Sequence, residues 1–270
     1  MAFTSDLYVK TDSLLHKLDP RTKILLVVAL SAALFIFENT LLLAALFVLS
    51  IVIVLLSKIP RYQALFPARM MLPIVIMVTA MYPFFYPEGE PVILQFWIIK
   101  VTLPGFLQGI NTGIRLMGMS YLSFLLLFTT KQSHLVRGFV KLGVPYMLGL
   151  TAAIGLRYIP TFYGLFSRIR EAHMARGLEM EKVGFLQKVR SFVPVLTSLM
   201  IVALKMAITL GYALDARGFG ARVKRTYFRD VRMTRTDYVV IAITAFLLTL
   251  SLVARYYWGL GSTLTASLTQ

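Results

Sequence analysis

One nearly uninterrupted apolar run, residues 24–56, limits the possible folds of this chain more than any other feature. As a single helix it would be about 50 Å long, whereas the hydrocarbon core of a bilayer is only about 30 Å thick. The polar triplet Glu38-Asn39-Thr40 interrupts the run. The sequence therefore predicts two short membrane helices joined at this triplet, with Lys23 and Lys58 reaching the membrane surface at the ends.

The composition supports a membrane protein throughout. The chain has 270 residues, of which 58% are hydrophobic, and its mean hydropathy is +0.75. Further spans are expected at about 70–86, 105–129 and 238–258, and the polar N-terminus shows no cleavable signal peptide. Residues 92–103 are too few to span and include Lys100, so they are expected at the interface. We predict an all-α polytopic protein with about five transmembrane helices.

The cations indicate the orientation of these spans. Loops on the cytoplasmic side of a membrane carry an excess of Lys and Arg. The N-terminal segment and the second loop are basic, whereas the first and third loops carry acids, so we expect a cytoplasmic N-terminus and an extracytoplasmic C-terminus. The basic residues are Lys10, Lys17, Arg21, Lys23, Lys58, Arg61 and Arg69, and the acids are Glu38, Glu88 and Glu90.

Residues 131–236 allow two interpretations. Hydropathy alone adds spans at about 144–166 and 193–213, but the loop between them would then export six cations, against the charge rule. The favoured alternative keeps the whole segment in the cytoplasm as two long apolar helices that need a protein or membrane interface. The predicted domains are a membrane part over 1–130, a cytoplasmic domain over 131–236 and a final span with a tail over 237–270.

A tripeptide occurs twice in this basic segment, as Ala175-Arg176-Gly177 and Ala216-Arg217-Gly218. Arg suits the negative end of a helix and Gly commonly stops one, so each copy is consistent with simple capping. Two copies, each after an apolar helix, favour a function instead. The small Ala allows close approach and the planar Arg binds carboxylates or carbonyls as a fork, which suggests two equivalent docking sites.

Other polar residues near the helices have more ordinary interpretations. Glu171, Glu179 and Asp215 are expected to be solvated or to pair locally with the nearby cations. Arg115, in the fourth span, is either functional or extends to the membrane surface, and the sequence leaves this open. The prolines that we expect to start or kink the cytoplasmic helices are Pro145, Pro160 and Pro194.

No catalytic or cofactor-binding pattern is present in the sequence. The chain has no cysteine, its three histidines are far apart, and it has no Gly-rich phosphate-binding loop, so we predict no metal site, no cofactor and no enzymatic activity. The net charge is +16, but the cations lie between apolar runs. We therefore expect the lipid bilayer and a cytoplasmic protein as partners, and no nucleic acid.

Four segments resemble the transmembrane T component of energy-coupling factor (ECF) transporters, the EcfT family. They are residues 12–23 (DSLLHKLDPRTK), residues 156–160 (LRYIP, with Arg157 and Pro160) and the two tripeptides. The resemblance implies a prokaryotic cell-membrane importer of vitamins or transition-metal ions. It further implies two ABC-type ATPase subunits, a small substrate-binding S component, and coupling helices crossing in an X with Arg176 and Arg217 as docking residues.

Two other functions remain as alternatives. A conventional ABC permease would form the substrate path itself, and Glu171-Ala172 followed by Gly177 partly mimics its coupling loop. However, the apolar-Pro signature, Phe192-Val193-Pro194, comes later than expected, and a permease would carry one such loop rather than two. A membrane-embedded enzyme would need a polar cluster inside the spans, which the sequence lacks.

Overall fold

The computed structural model describes residues 8–37, 39–85, 92–96, 99–178, 184–220 and 233–258. These ranges are helical apart from one short hairpin, which confirms the predicted all-α class. The helices are α1 (Leu14–Lys17), α2 (Pro20–Ile36), α3 (Thr40–Leu56), α4 (Arg61–Ala64), α5 (Phe66–Phe85), α6 (Leu103–Thr129), α7 (Gln132–Lys141), α8 (Tyr146–Ala175), α9 (Phe185–Ala216) and α10 (Arg235–Trp258).

The long apolar run is divided into two helices, as its length predicts. Pro20 occupies the first turn of α2, where a missing N–H costs nothing, and Asp19 caps the helix by accepting from the Arg21 N–H at 2.9 Å. The Asn39 side chain caps α3 by accepting from the Leu41 N–H at 3.0 Å. Glu38, the first residue of the predicted turn, lies outside the described residues.

A small antiparallel hairpin is the exception to the helical fold. It consists of β1 (Val92–Phe96) and β2 (Ile99–Thr102), with a register irregularity between Val92 and Leu94. These residues fall within the segment predicted at the interface, for which the sequence indicated no secondary structure. The hairpin satisfies the main-chain groups of a stretch that is too short to form a spanning helix.

The described residues of 6–149 and 231–270 pack as one compact unit. Helix α6 contacts α2, α3 and α5, and α10 packs against α2. Leu34, Leu43 and Leu122 form the centre of this unit, since none is more than 1% exposed. A glycine allows α5 to pack closely against α6. A Cβ on Gly109 of α6 would lie only 3.0 Å from the Thr79 carbonyl oxygen of α5.

The described residues between 150 and 230 form the second unit, which contains most of α8 and all of α9. The rings of Phe166 and Phe192 stack with centroids 6.3 Å apart, and His173 shares a 3.0 Å hydrogen bond with Ser198. These two contacts come in the same order along both helices. The helices therefore point in the same general direction where they meet.

Three helical stretches in the described part of the chain are long and apolar enough to cross a membrane. They are Arg61–Phe85, which joins α4 and α5, Gly105–Thr129 in α6, and Leu186–Ala216 in α9. The third belongs to the segment for which the sequence allowed both a spanning and a cytoplasmic location. Pro160 and Pro194 lie inside α8 and α9 without ending them, and Pro145 directly precedes α8.

Candidate functional site: two matching helix ends and a buried polar cluster

The first Ala-Arg-Gly tripeptide ends α8. Ala175 is the last helical residue, and the chain then turns through Arg176 and Gly177. The Gly177 N–H donates to the Met174 carbonyl at 3.0 Å, and the Leu178 N–H donates to the His173 carbonyl at 3.1 Å. This pair of hydrogen bonds defines a Schellman ending, in which the turn satisfies carbonyls that the helix leaves open.

The second tripeptide ends α9 with the same geometry. The Gly218 N–H donates to the Asp215 carbonyl at 2.9 Å, and the Phe219 N–H donates to the Leu214 carbonyl at 3.0 Å. Both glycines adopt the left-handed backbone that such an ending requires, with φ of +88° at Gly177 and +68° at Gly218. The sequence repeat is therefore a structural repeat.

Each tripeptide presents its cation to the surroundings. Arg176 and Arg217 are exposed, as are Ala175 and Ala216 before them. Each Arg occupies the capping position directly after the last helical residue, at the negative end of the helix as the sequence predicts. The cation consequently lies at the tip of a rigid rod, close to the negative end of the helix dipole.

The two tips stand at different distances from the contact between the helices. Arg176 follows His173 by less than one turn, whereas about 27 Å of helix separates Ser198 from the end of α9. The two cations therefore lie far apart within this unit. Such a spacing suits two separate binding sites better than one shared site.

The supporting residues of the sequence analysis also lie on the surface of this unit. Glu171, Asp215, Arg157 and Pro160 are all exposed. Among the described residues, neither Glu171 nor Asp215 forms an ion pair within 4 Å. Glu179 lies outside the described residues.

A buried polar cluster in the other unit was missed by the sequence analysis. The fully buried Asp237, in the first turn of α10, accepts the Asp19 N–H at 2.8 Å through Oδ1. Its Oδ2 accepts the Thr234 N–H at 2.7 Å and the Thr234 hydroxyl at 2.6 Å. Asp237 thus joins the start of α10 to the start of α2.

Lys23 extends this cluster to two more helices, α1 and α6. The Lys23 side chain is buried, and its Nζ donates to the His16 carbonyl at 3.2 Å and to the Thr129 carbonyl at 3.1 Å. These carbonyls lie at the ends of α1 and α6, where a cation is stabilised by the helix dipole. The position of Lys23 at the end of the apolar run predicts that its side chain reaches the membrane surface. The structure corrects this interpretation, because the ammonium group turns inward.

Burial and neighbouring charges set the pKa values of the cluster, which precedes the predicted spans on both helices. Burial lowers the pKa of Lys23 to about 8, although Asp237 and Asp19 oppose the shift. For Asp237, burial alone would raise the pKa. The hydrogen bonds from Thr234 and from the Asp19 N–H outweigh that effect and lower the pKa of Asp237.

Arg115, whose role the sequence left open, caps a helix end. Its Nε donates to the Leu34 carbonyl at 2.9 Å, and its Nη2 donates to the Phe37 carbonyl at 2.8 Å. The guanidinium also lies 5.6 Å from the centroid of the Phe35 ring. Arg115 therefore satisfies open carbonyls at the end of α2, within the compact unit formed by the described residues of 6–149 and 231–270.

Comparison with known proteins places these features in a family. Residues 11–227 match the family model CbiQ, described as a cobalt transport protein. The match includes Asp19, Lys23, Arg115 and both tripeptides. The chain belongs to the EcfT family. Named relatives, each an energy-coupling factor transporter transmembrane protein EcfT, confirm this assignment.

The EcfT of Listeria innocua is 31% identical over 85% of this chain and 89% of its own length. The EcfT of Thermanaerovibrio acidaminovorans is 32% identical over 87% and 90%, and that of Bacillus subtilis is 31% identical over 87% and 91%. The alignments cover nearly the whole length of these proteins. This member of the EcfT family is thus a multi-pass membrane protein, as its composition predicts.

Proposed function

We propose that this chain is the non-catalytic transmembrane coupling subunit of an ATP-driven ECF importer of vitamins or transition-metal ions. In this role it binds two ABC-type ATPase subunits and a separate S component that captures the substrate. The observation that carries the proposal is the pair of identical helix endings at Gly177 and Gly218. Two copies of one geometry fit two copies of one partner.

Each ending supplies what a docking contact requires. The exposed Arg176 and Arg217 present a guanidinium fork to carboxylates or carbonyls, and the preceding alanines let another surface approach closely. Gly177 and Gly218 end the rods without adding a side chain. Movement of either partner would then be transmitted along a rigid helix of 30 residues in α8 and 32 in α9.

The outer surface of α9 suits the S component. Apolar side chains recur every three or four residues along one side of the helix and are more than half exposed. They are Leu186, Val189, Val193, Leu196, Met200, Leu204 and Ile208. An apolar stripe of this length calls for a membrane or protein partner, and a small hydrophobic membrane subunit matches its chemistry.

The proposed arrangement keeps residues 131–236 in the cytoplasm, between a membrane part over 1–130 and a final span over 237–270. It puts the N-terminus inside and the C-terminus outside.

Single cysteine replacements test this topology. Because the chain has no cysteine, E171C and L41C each report on which side of the membrane their position lies. Reagents that cannot cross the membrane should label L41C in intact cells and E171C only after permeabilisation. Labelling of E171C in intact cells would restore the spanning interpretation of α8 and α9.

The central test is affinity purification of the tagged full chain from its native host in mild detergent, followed by mass spectrometry. We expect two ATPase subunits and a small hydrophobic protein, whose identity indicates the substrate class. A soluble binding protein retained with the ATPases, or a homodimer of this chain, would instead indicate a conventional permease. Recovery of an intact complex without any ATPase would refute the proposal.

A further inference from the structure

A crevice opens between α3, α4 and α6, within the compact unit formed by the described residues of 6–149 and 231–270. Its volume is about 240 Å³. Its walls are mostly aliphatic, with Leu55 and Leu65 more than 60% exposed at its edge. The residues that line it are Ile51, Val54, Leu55, Arg61, Ala64, Leu65 and Tyr121.

Tyr121 contributes a polar group to this apolar crevice. The residue is 7% exposed, and its ring packs edge-on against Phe47 with centroids 6.1 Å apart. Within the described ranges, its hydroxyl has no hydrogen-bond partner. Tyr121 lines the crevice, so its hydroxyl is available to donate to a ligand that carries an acceptor oxygen.

Arg61 supplies a positive charge at the same crevice. Its side chain is exposed, and it forms no ion pair within the part of the chain that the structure describes. No acidic residue occurs anywhere in residues 39–87 or 91–170, which include α3, α4 and α6. The charge at this crevice therefore favours an anionic ligand.

We propose that the crevice binds an anionic phospholipid. One acyl chain lies along the aliphatic wall of α3 and α4, the phosphate contacts Arg61, and an ester oxygen accepts from the Tyr121 hydroxyl. A free anion would leave the aliphatic wall uncovered, whereas a lipid satisfies all three features. The site is independent of the coupling role, because it uses neither Ala-Arg-Gly end.

Native mass spectrometry of the purified full chain tests this site by titration with phosphatidylglycerol or phosphatidylcholine. A surface cation contributes about fivefold to anionic lipid binding, so we expect phosphatidylglycerol to bind at least fivefold more tightly. R61Q should remove that preference. Y121F should weaken the binding of both lipids severalfold. R69Q is the matched control, since Arg69 is an exposed cation in the first turn of α5 that does not line the crevice.

Equal affinity for the two lipids would overturn the proposal. Equal losses in R61Q and R69Q would also overturn it, because they would indicate diffuse surface attraction. Crosslinking of L65C to another subunit in the assembled complex, with no phosphatidylglycerol retained, would identify the crevice as a protein interface. Because Arg61 is exposed, R61Q tests the headgroup contact even if Y121F proves unstable. Failure of the lipid proposal would leave the coupling role untouched, because that role is tested by retention of the ATPase subunits.

Discussion

The ammonium group of Lys23 on α2 donates a 3.1 Å hydrogen bond to the main-chain carbonyl of Thr129, the last residue of α6. Asp237 holds the start of α10 against the start of α2 in the same cluster. One buried network therefore joins α1, α2 and α10 to the C-terminal end of α6. Its charges should make the stability of this unit depend on pH.

Raising the pH should stabilise the protein between about pH 8 and 10.5. The pKa of Lys23 is about 8 in the folded chain and near 10.5 when exposed, so in this window the unfolded chain binds more protons. The free energy of unfolding then rises with pH, by up to about 3 kcal/mol. Melting temperatures in detergent at each pH measure the effect. K23M should remove it, and identical pH profiles of the two proteins would contradict the prediction.

Replacing Asp237 by Asn should destabilise the protein by about 3 kcal/mol, because Lys23 then loses a buried countercharge. The lowered pKa of Asp237 gives stability that is present above pH 3.8 and is lost as the pH falls through the folded pKa. D237N should lack this acid-dependent loss. The control is D215N, an exposed carboxylate, which should change stability by less than about 0.5 kcal/mol. Equal melting temperatures for the two variants would exclude a structural role for Asp237.

Replacing Arg115 by Met should cost about 2 kcal/mol, since two carbonyls at the end of α2 lose their donors. R115K should recover part of this loss, because an ammonium group replaces the fork with a single point of contact. Thermal unfolding in detergent measures the difference. R157M removes an exposed Arg and serves as the control. A loss in R157M as large as in R115M would show that the effect is not specific to the cap.

Replacing Gly177 or Gly218 by Ala should strain each helix ending by about 1 kcal/mol, because a Cβ is disfavoured at positive φ. A Cβ would meet no atom within 4 Å at either position, so backbone strain is the whole expected effect. G164A and G211A are matched controls, since these glycines lie inside α8 and α9 and also face open space. Alanine should stabilise those two positions. ATPase retention should fall only in G177A and G218A.

Replacing Arg176 or Arg217 by Ala should weaken ATPase retention or uncouple ATP hydrolysis from uptake, and the double variant should be worse. Lysine at either position should rescue only part of the loss if the guanidinium fork binds its partner. Coupled uptake assays in vesicles measure both effects. Full activity of the double variant would eliminate the docking role, whereas equal activity of Arg and Lys would indicate simple charge attraction.

Features set by neighbouring residues could be predicted from the sequence. The length of the apolar run and the triplet at 38–40 determined the α2–α3 pair, since a bilayer limits the length of a helix. Gly177 and Gly218 determined the two helix endings, because only glycine adopts the required backbone without strain. The resemblance to the EcfT family was likewise carried by local segments, namely residues 12–23, residues 156–160 and the two tripeptides.

Contacts between distant residues required the tertiary structure. Asp19 and Asp237 are 218 residues apart, and Lys23 and Thr129 are 106 apart, so no local pattern pairs them. The same limit left Arg115 undecided, since its partners lie on another helix. The sequence determined the helices and the two matching Ala-Arg-Gly helix endings through local chemistry. Only tertiary packing decided which polar groups turn inward, because burial and hydrogen bonding depend on neighbours that folding brings together.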